Sequence, residues 1–133
     1  MKPHPYLRAF MAGIVLPTWF LLGAMTIFAV ARFVYDVPVP IERAIAFPMA
    51  VVPNAWGLWN VLYLALGRRP WSIGVHGALL PLVLLPAGYT LARLLDITFV
   101  TVAFVAIAAP VAIALYYLAW KYFVSYFNRV VGL

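Results

Sequence analysis

The chain has 133 residues, 68% of them hydrophobic and 9% charged, with a formal net charge of +6 and a mean hydropathy of +1.06. Soluble domains use roughly 45–50% apolar residues, so this composition excludes a soluble enzyme and points to an all-α membrane protein. Cysteine is absent, which excludes disulfides, thiol catalysis and thiolate metal sites.

Four apolar runs each reach the ~20 residues that a helix needs to cross the hydrocarbon core. They lie near residues 9–35, 41–66, 72–95 and 97–122. The first begins after a basic start and contains Pro17. It closes on Ala29-Val30-Ala31, which has the small-x-small form of a signal cleavage site. The run is too long for a signal peptide, whose apolar core has about 7–15 residues. It is therefore read as a retained span.

The second run holds the stretch "VVPNAWGLWN" and carries Pro48, Pro53, Asn54, Trp56, Trp59, Asn60 and Tyr63. Asn54 falls ~18 Å from the inner end of this span, near the middle of a ~30 Å core, where an amide must find a partner. Carbonyls released by Pro48 or Pro53 could supply it, as could a facing helix. The residues Trp56, Trp59 and Tyr63 share one helical face as an aromatic ridge.

The third run contains Gly74, His76, Gly77, Pro81 and Pro86. Asn60 lies ~9 Å and His76 ~6 Å from the same short link, which places them at similar depth. An Asn60–His76 contact with Tyr63 nearby is expected, because an unpaired buried polar group costs a few kcal/mol. Asn54, Asn60, Tyr63 and His76 thus form the candidate intramembrane polar cluster. It reads either as a packing clamp or as the lining of a ligand or ion path. The fourth run contains Pro110 and extends into "KYFVSYFNRVVGL", whose polar stripe of Lys121, Ser125, Asn128 and Arg129 predicts an extension to about residue 131 along the inner surface or against a partner.

Six of the nine basic residues, Lys2, Arg8, Arg68, Arg69, Lys121 and Arg129, fall on one side of these spans. Arg32, Arg43 and Arg93 share the other side with all three acids, Asp36, Glu42 and Asp96. The positive-inside rule then places both termini in the cytoplasm. Arg8, Arg68, Arg69, Lys121 and Arg129 are the residues expected to set topology and meet lipid headgroups. Arg32 and Asp36 have the spacing of a helical ion pair. The fold expected is a single integral domain over residues 1–133, a four-transmembrane-helix antiparallel bundle with short links. Pro17, Pro48, Pro53, Pro81, Pro86 and Pro110 are expected to kink its helices.

A weak internal repeat runs through the first and third spans, with Gly13/Gly77, Leu16/Leu80, Pro17/Pro81 and Leu21/Leu85 in register and Arg32/Arg93 and Asp36/Asp96 after a small gap. Close-contact spacings occur at Ala9/Gly13, Ala46/Ala50 and Ala108/Ala112.

Catalytic chemistry has little to build on. Each acid falls at an outer span end, the histidines are only His4 and His76, and no Gly-rich phosphate loop, nucleophile elbow or HExxH pattern occurs. No metal, cofactor or nucleic-acid partner is expected. The length and four-span plan are similar to those of small multidrug and fluoride channel proteins, but the intramembrane acid of the former and the Gly-rich signature of the latter are missing. The expected function is that of a multi-pass plasma-membrane protein, of bacterial inner-membrane type, without catalytic machinery. It would act through helix contacts as an accessory or assembly subunit or as a homo-oligomer, with lipids and other transmembrane helices as partners. The alternative is a small oligomeric transporter or channel with a midplane cavity framed by proline-broken helices.

Overall fold

A computed structural model describes residues 2–42, 47–98 and 100–133, and all regular structure among them is helical. Helix α1 spans Pro5–Phe33, α2 Phe47–Ala65, α3 Ile73–Leu94 and α4 Val102–Ala119. From α4 the chain continues through a π-helical turn, Trp120–Val124, into α5, Ser125–Val130. Arg43 and Ala46 lie outside the described residues.

Three helical stretches are long and apolar enough to cross a membrane: Pro5–Phe33, Ile73–Leu94 and Val102–Val130. The protein is thus of membrane type. The described part of α2 is not among them, because two asparagines, two tryptophans, a tyrosine and two prolines lower its hydropathy. Helix boundaries follow local chemistry. Pro5 opens α1, where its missing N–H was an orphan donor in any case. Ser72 caps α3 by accepting from the Val75 N–H. Thr101 caps α4 by accepting from the Phe104 N–H at 3.1 Å, so this helix starts at Val102 rather than near Ile97.

The chain forms two compact units, Met1–Ala65 with Phe127–Leu133, and Leu66–Tyr126. In the first, α1 packs on α2 through the buried stripe Ala9, Ala12, Gly13, Pro17 and Leu21. The backbones touch here: a Cβ on Gly13 would lie 2.7 Å from the Trp56 carbonyl oxygen and 2.9 Å from the Gly57 Cα. Gly57 in turn makes room for the Phe10 ring, 2.6 Å from where its own Cβ would be. Small residues are what permit such an approach between helices.

In the second unit, α3 packs on α4 and the π turn through Gly74, His76, Gly77, Leu80 and Pro81. A Cβ on Gly77 would fall within the side chain of Trp120, and one on Gly74 would meet the Tyr117 ring at 2.9 Å and the Lys121 Cβ at 3.3 Å. The two buried residues of the π turn are Trp120 and Val124.

Candidate functional site

Asn60 is a buried polar position whose amide is fully engaged. It lies on the α1-facing side of α2, 1% exposed, in the same contact layer as Gly13. Its Nδ2 donates to the Ala9 carbonyl and to the Asn128 Oδ1, each at 2.7 Å, and its Oδ1 accepts from the Asn128 Nδ2 at 3.1 Å. Both amide hydrogens are used and the two asparagines bond reciprocally. This is a closed arrangement, satisfied from within the first unit.

Asn128 was legible only as one residue of a polar stripe, and the structure turns it into the partner of Asn60. The same C-terminal segment sets Phe127 edge-on to Trp19 at 6.2 Å. It is fastened further by Arg8, whose guanidinium donates to the carbonyls of Val131 at 2.6 Å, Gly132 at 3.3 Å, Lys2 at 2.8 Å and Pro3 at 3.1 Å. Arg8 is therefore more than a topology charge: its donors knit the two chain ends together. A planar fork with five donors suits this task where a lysine would not.

Asn54 is exposed, and its Nδ2 donates to the Ala50 carbonyl on its own helix at 2.7 Å. It takes this carbonyl, one turn back, and not one released by Pro53. Thr26 and Thr90 behave alike, donating to the carbonyls of Leu22 and Pro86 at 2.9 Å. Tyr63 is half-buried on α2. His76 is 3% exposed on α3, with its ring edge-on to Trp120 at 5.9 Å. Asn60 lies in the first unit and His76 in the second.

The prolines divide by burial. Pro17 and Pro81 are buried in the contact stripes of α1 and α3. Pro53, Pro86 and Pro110 stand inside α2, α3 and α4, and Pro48 is the second described residue of α2. Among the basic residues, Arg68, Arg69, Lys121 and Arg129 are exposed. The Lys121 ammonium lies over the rings of Tyr117 at 5.7 Å and Tyr122 at 5.4 Å, a cation–π arrangement.

Arg32 pairs with Glu42 at 2.7 Å, where helical spacing pointed to Asp36. Asp36 has left the helix in a left-handed conformation, φ 55°, so the i, i+4 geometry no longer applies. Hydrogen bonding to Arg32 holds the Glu42 carboxyl below its ordinary value. Among the described residues no three His, Cys, Asp or Glu side chains are grouped as a metal site would require. Compared with known protein families, curated proteins and solved structures, the chain matches none.

Proposed function

We propose that the chain is a four-span antiparallel integral membrane protein with both termini cytoplasmic, acting through its helix faces as an accessory or assembly subunit or as a homo-oligomer. One observation carries the reading. Asn54, Thr26 and Thr90 bond carbonyls of their own helices, and Asn60 is closed by Ala9 and Asn128. Polar groups satisfied in this way serve to specify packing.

Topology has independent support. Arg8 bonds carbonyls of residues 2 and 3 and of residues 131 and 132, which supports placing the two chain ends on one side of the membrane. That requires an even number of crossings, and three apolar stretches become even only if α2 crosses as well. The pairs Ala9 with Asn60 and Gly13 with Trp56 favour opposite directions for α1 and α2. Exposed Arg68, Arg69, Lys121 and Arg129 would then face anionic headgroups of the inner leaflet of a plasma membrane.

Large apolar side chains exposed along α1 and α4, among them Phe20, Ile27, Ile107 and Leu115, suit lipid or neighbouring helices. Extraction in native lipid followed by intact-mass measurement tests the proposal. A homo-oligomer or a stoichiometric complex is the expected result. A monomer that carries a solute flux into vesicles, lost on Asn54→Leu with the fold intact, would replace this reading with the transporter one.

A further inference from the structure

One constant shift in residue number lays the first helix pair on the second. It carries Gly13 onto Gly77, Leu16 onto Leu80, Pro17 onto Pro81, Leu21 onto Leu85 and Thr26 onto Thr90. In the following helix it carries Trp56 onto Trp120. Identities among Leu-rich spans carry little weight by themselves, but here the matched residues have matched roles.

Gly13 and Gly77 are both buried, and each is the point where an added Cβ would strike the matched tryptophan of its own unit, Trp56 at its backbone carbonyl and Trp120 at its side chain. Those tryptophans, Trp56 and Trp120, are 4% and 0% exposed. Pro17 and Pro81 are both buried one turn further on. The Thr26 hydroxyl bonds the Leu22 carbonyl and the Thr90 hydroxyl bonds the Pro86 carbonyl, both at 2.9 Å, and these acceptors are related by the same shift.

Another pair of matched positions is more telling because its residues differ. Phe10 packs over Gly57 in the first unit. The matched positions in the second are Gly74 and Lys121, again in contact, with the small residue now on the other helix. A contact kept while its large and small partners change places is what compensated divergence from one template produces.

The first helices also each end on a left-handed aspartate, with closing bonds that span six residues after α1 and five after α3. Asp36 and Asp96 are left-handed at φ 55° and 56°. The residue after each donates back into the helix, Val37 to the Ala31 carbonyl at 2.9 Å and Ile97 to the Ala92 carbonyl at 2.8 Å. The shift shortens here, α3 being the shorter helix, and it is restored by Trp120.

We infer that the protein is a tandem duplication of one Gly–Pro/Trp helix pair, and that Asn60 is the position at which the first copy became a socket for the chain's own C-terminal segment. The matched residue in the second copy is Val124, buried and apolar at 0% exposure. Asn60 sits at the same core position and spends its amide on Asn128 and Ala9. Among the described residues the other buried polar side chain, His76, stands where the first copy has the buried Ala12.

Saturation substitution of the full chain, scored for folded membrane protein, tests the duplication. Tolerance profiles of the two halves should correlate best at this shift, with Gly13 and Gly77 accepting almost nothing and Asn60 and Val124 discordant. A correlation no higher than at other shifts overturns the duplication. The socket is tested by hydrogen exchange on full-length Asn60→Val, which installs the residue of the other copy. Amides of residues 127–133 should exchange roughly tenfold faster, with the α1 and α2 amides still protected. Asn128→Leu breaks the pair from the other side and should give the same local release, which keeps the test decisive if Asn60→Val does not fold. Unchanged exchange at residues 127–133 in the folded variants overturns the socket role.

Discussion

Two asparagines six residues apart on α2 meet opposite conditions. Asn54 is exposed and bonded to its own helix, whereas Asn60 is buried and bonded to other segments. Asn60→Leu removes three hydrogen bonds and strands the Asn128 amide, so it should cost about 1–3 kcal/mol. Asn54→Leu should stay within ~0.5 kcal/mol. Reversible unfolding in mixed micelles separates the two. Glycines divide in the same manner: Gly77→Ala forces a methyl into Trp120 and should cost about 1–3 kcal/mol or prevent folding. Gly88 has nothing within 4 Å of its missing Cβ, so Gly88→Ala should be neutral or gain up to ~1 kcal/mol in the same assay. The Arg32–Glu42 pair is exposed and contributes little. Because the folded-state carboxyl is held below its ordinary value, whatever the pair adds is present above the usual carboxylate range and is lost as the pH falls through the depressed value. Thermal midpoints of the parent and Glu42→Gln should therefore differ least at the acidic end.

At the level of the elements, helix ends are set by a few residues with identifiable duties. Thr101 supplies the only side-chain cap found at the start of α4, and Thr101→Ala should lower stability by ~1 kcal/mol with loss of exchange protection at Phe104. The end of α3 closes with the Asp96 N–H on the Arg93 carbonyl and the Ile97 N–H on the Ala92 carbonyl, the two bonds of a Schellman motif. Gly132 closes α5 in the same way, through Gly132 to Arg129 and Leu133 to Asn128. Glycine adopts a positive φ without penalty and aspartate does not, so Asp96→Gly should leave the helix end in place and not lower the unfolding midpoint.

For the whole molecule, the connection between the chain ends is the decisive feature. Single cysteines can be introduced into this chain without any background thiol. Cysteine at position 2 or 133 should be labelled from the cytoplasmic side, and cysteine at position 36 from the outside. Labelling of positions 2 and 133 from opposite sides would show an odd number of crossings. Arg8→Ala frees four carbonyls at once and should loosen residues 131–133 without altering that topology.

Composition and periodicity alone determined the membrane class, the helical character and the approximate position of every helix, because a bilayer admits only long apolar segments with satisfied backbones. The glycine and proline marks of the repeat were also visible in the order of residues. Tertiary structure decided which polar groups meet. Depth along a helix can be counted from its ends, but the direction a side chain faces depends on where each helix starts and on which face its neighbours cover. That is why counting along α2 gave no hint that Asn54 is exposed, and why Asn128 gave no sign of its bond to Asn60. The match between Trp56 and Trp120 was hidden for a related reason: its meaning lies in the glycine packed against each tryptophan residue, a contact between helices that no linear spacing records.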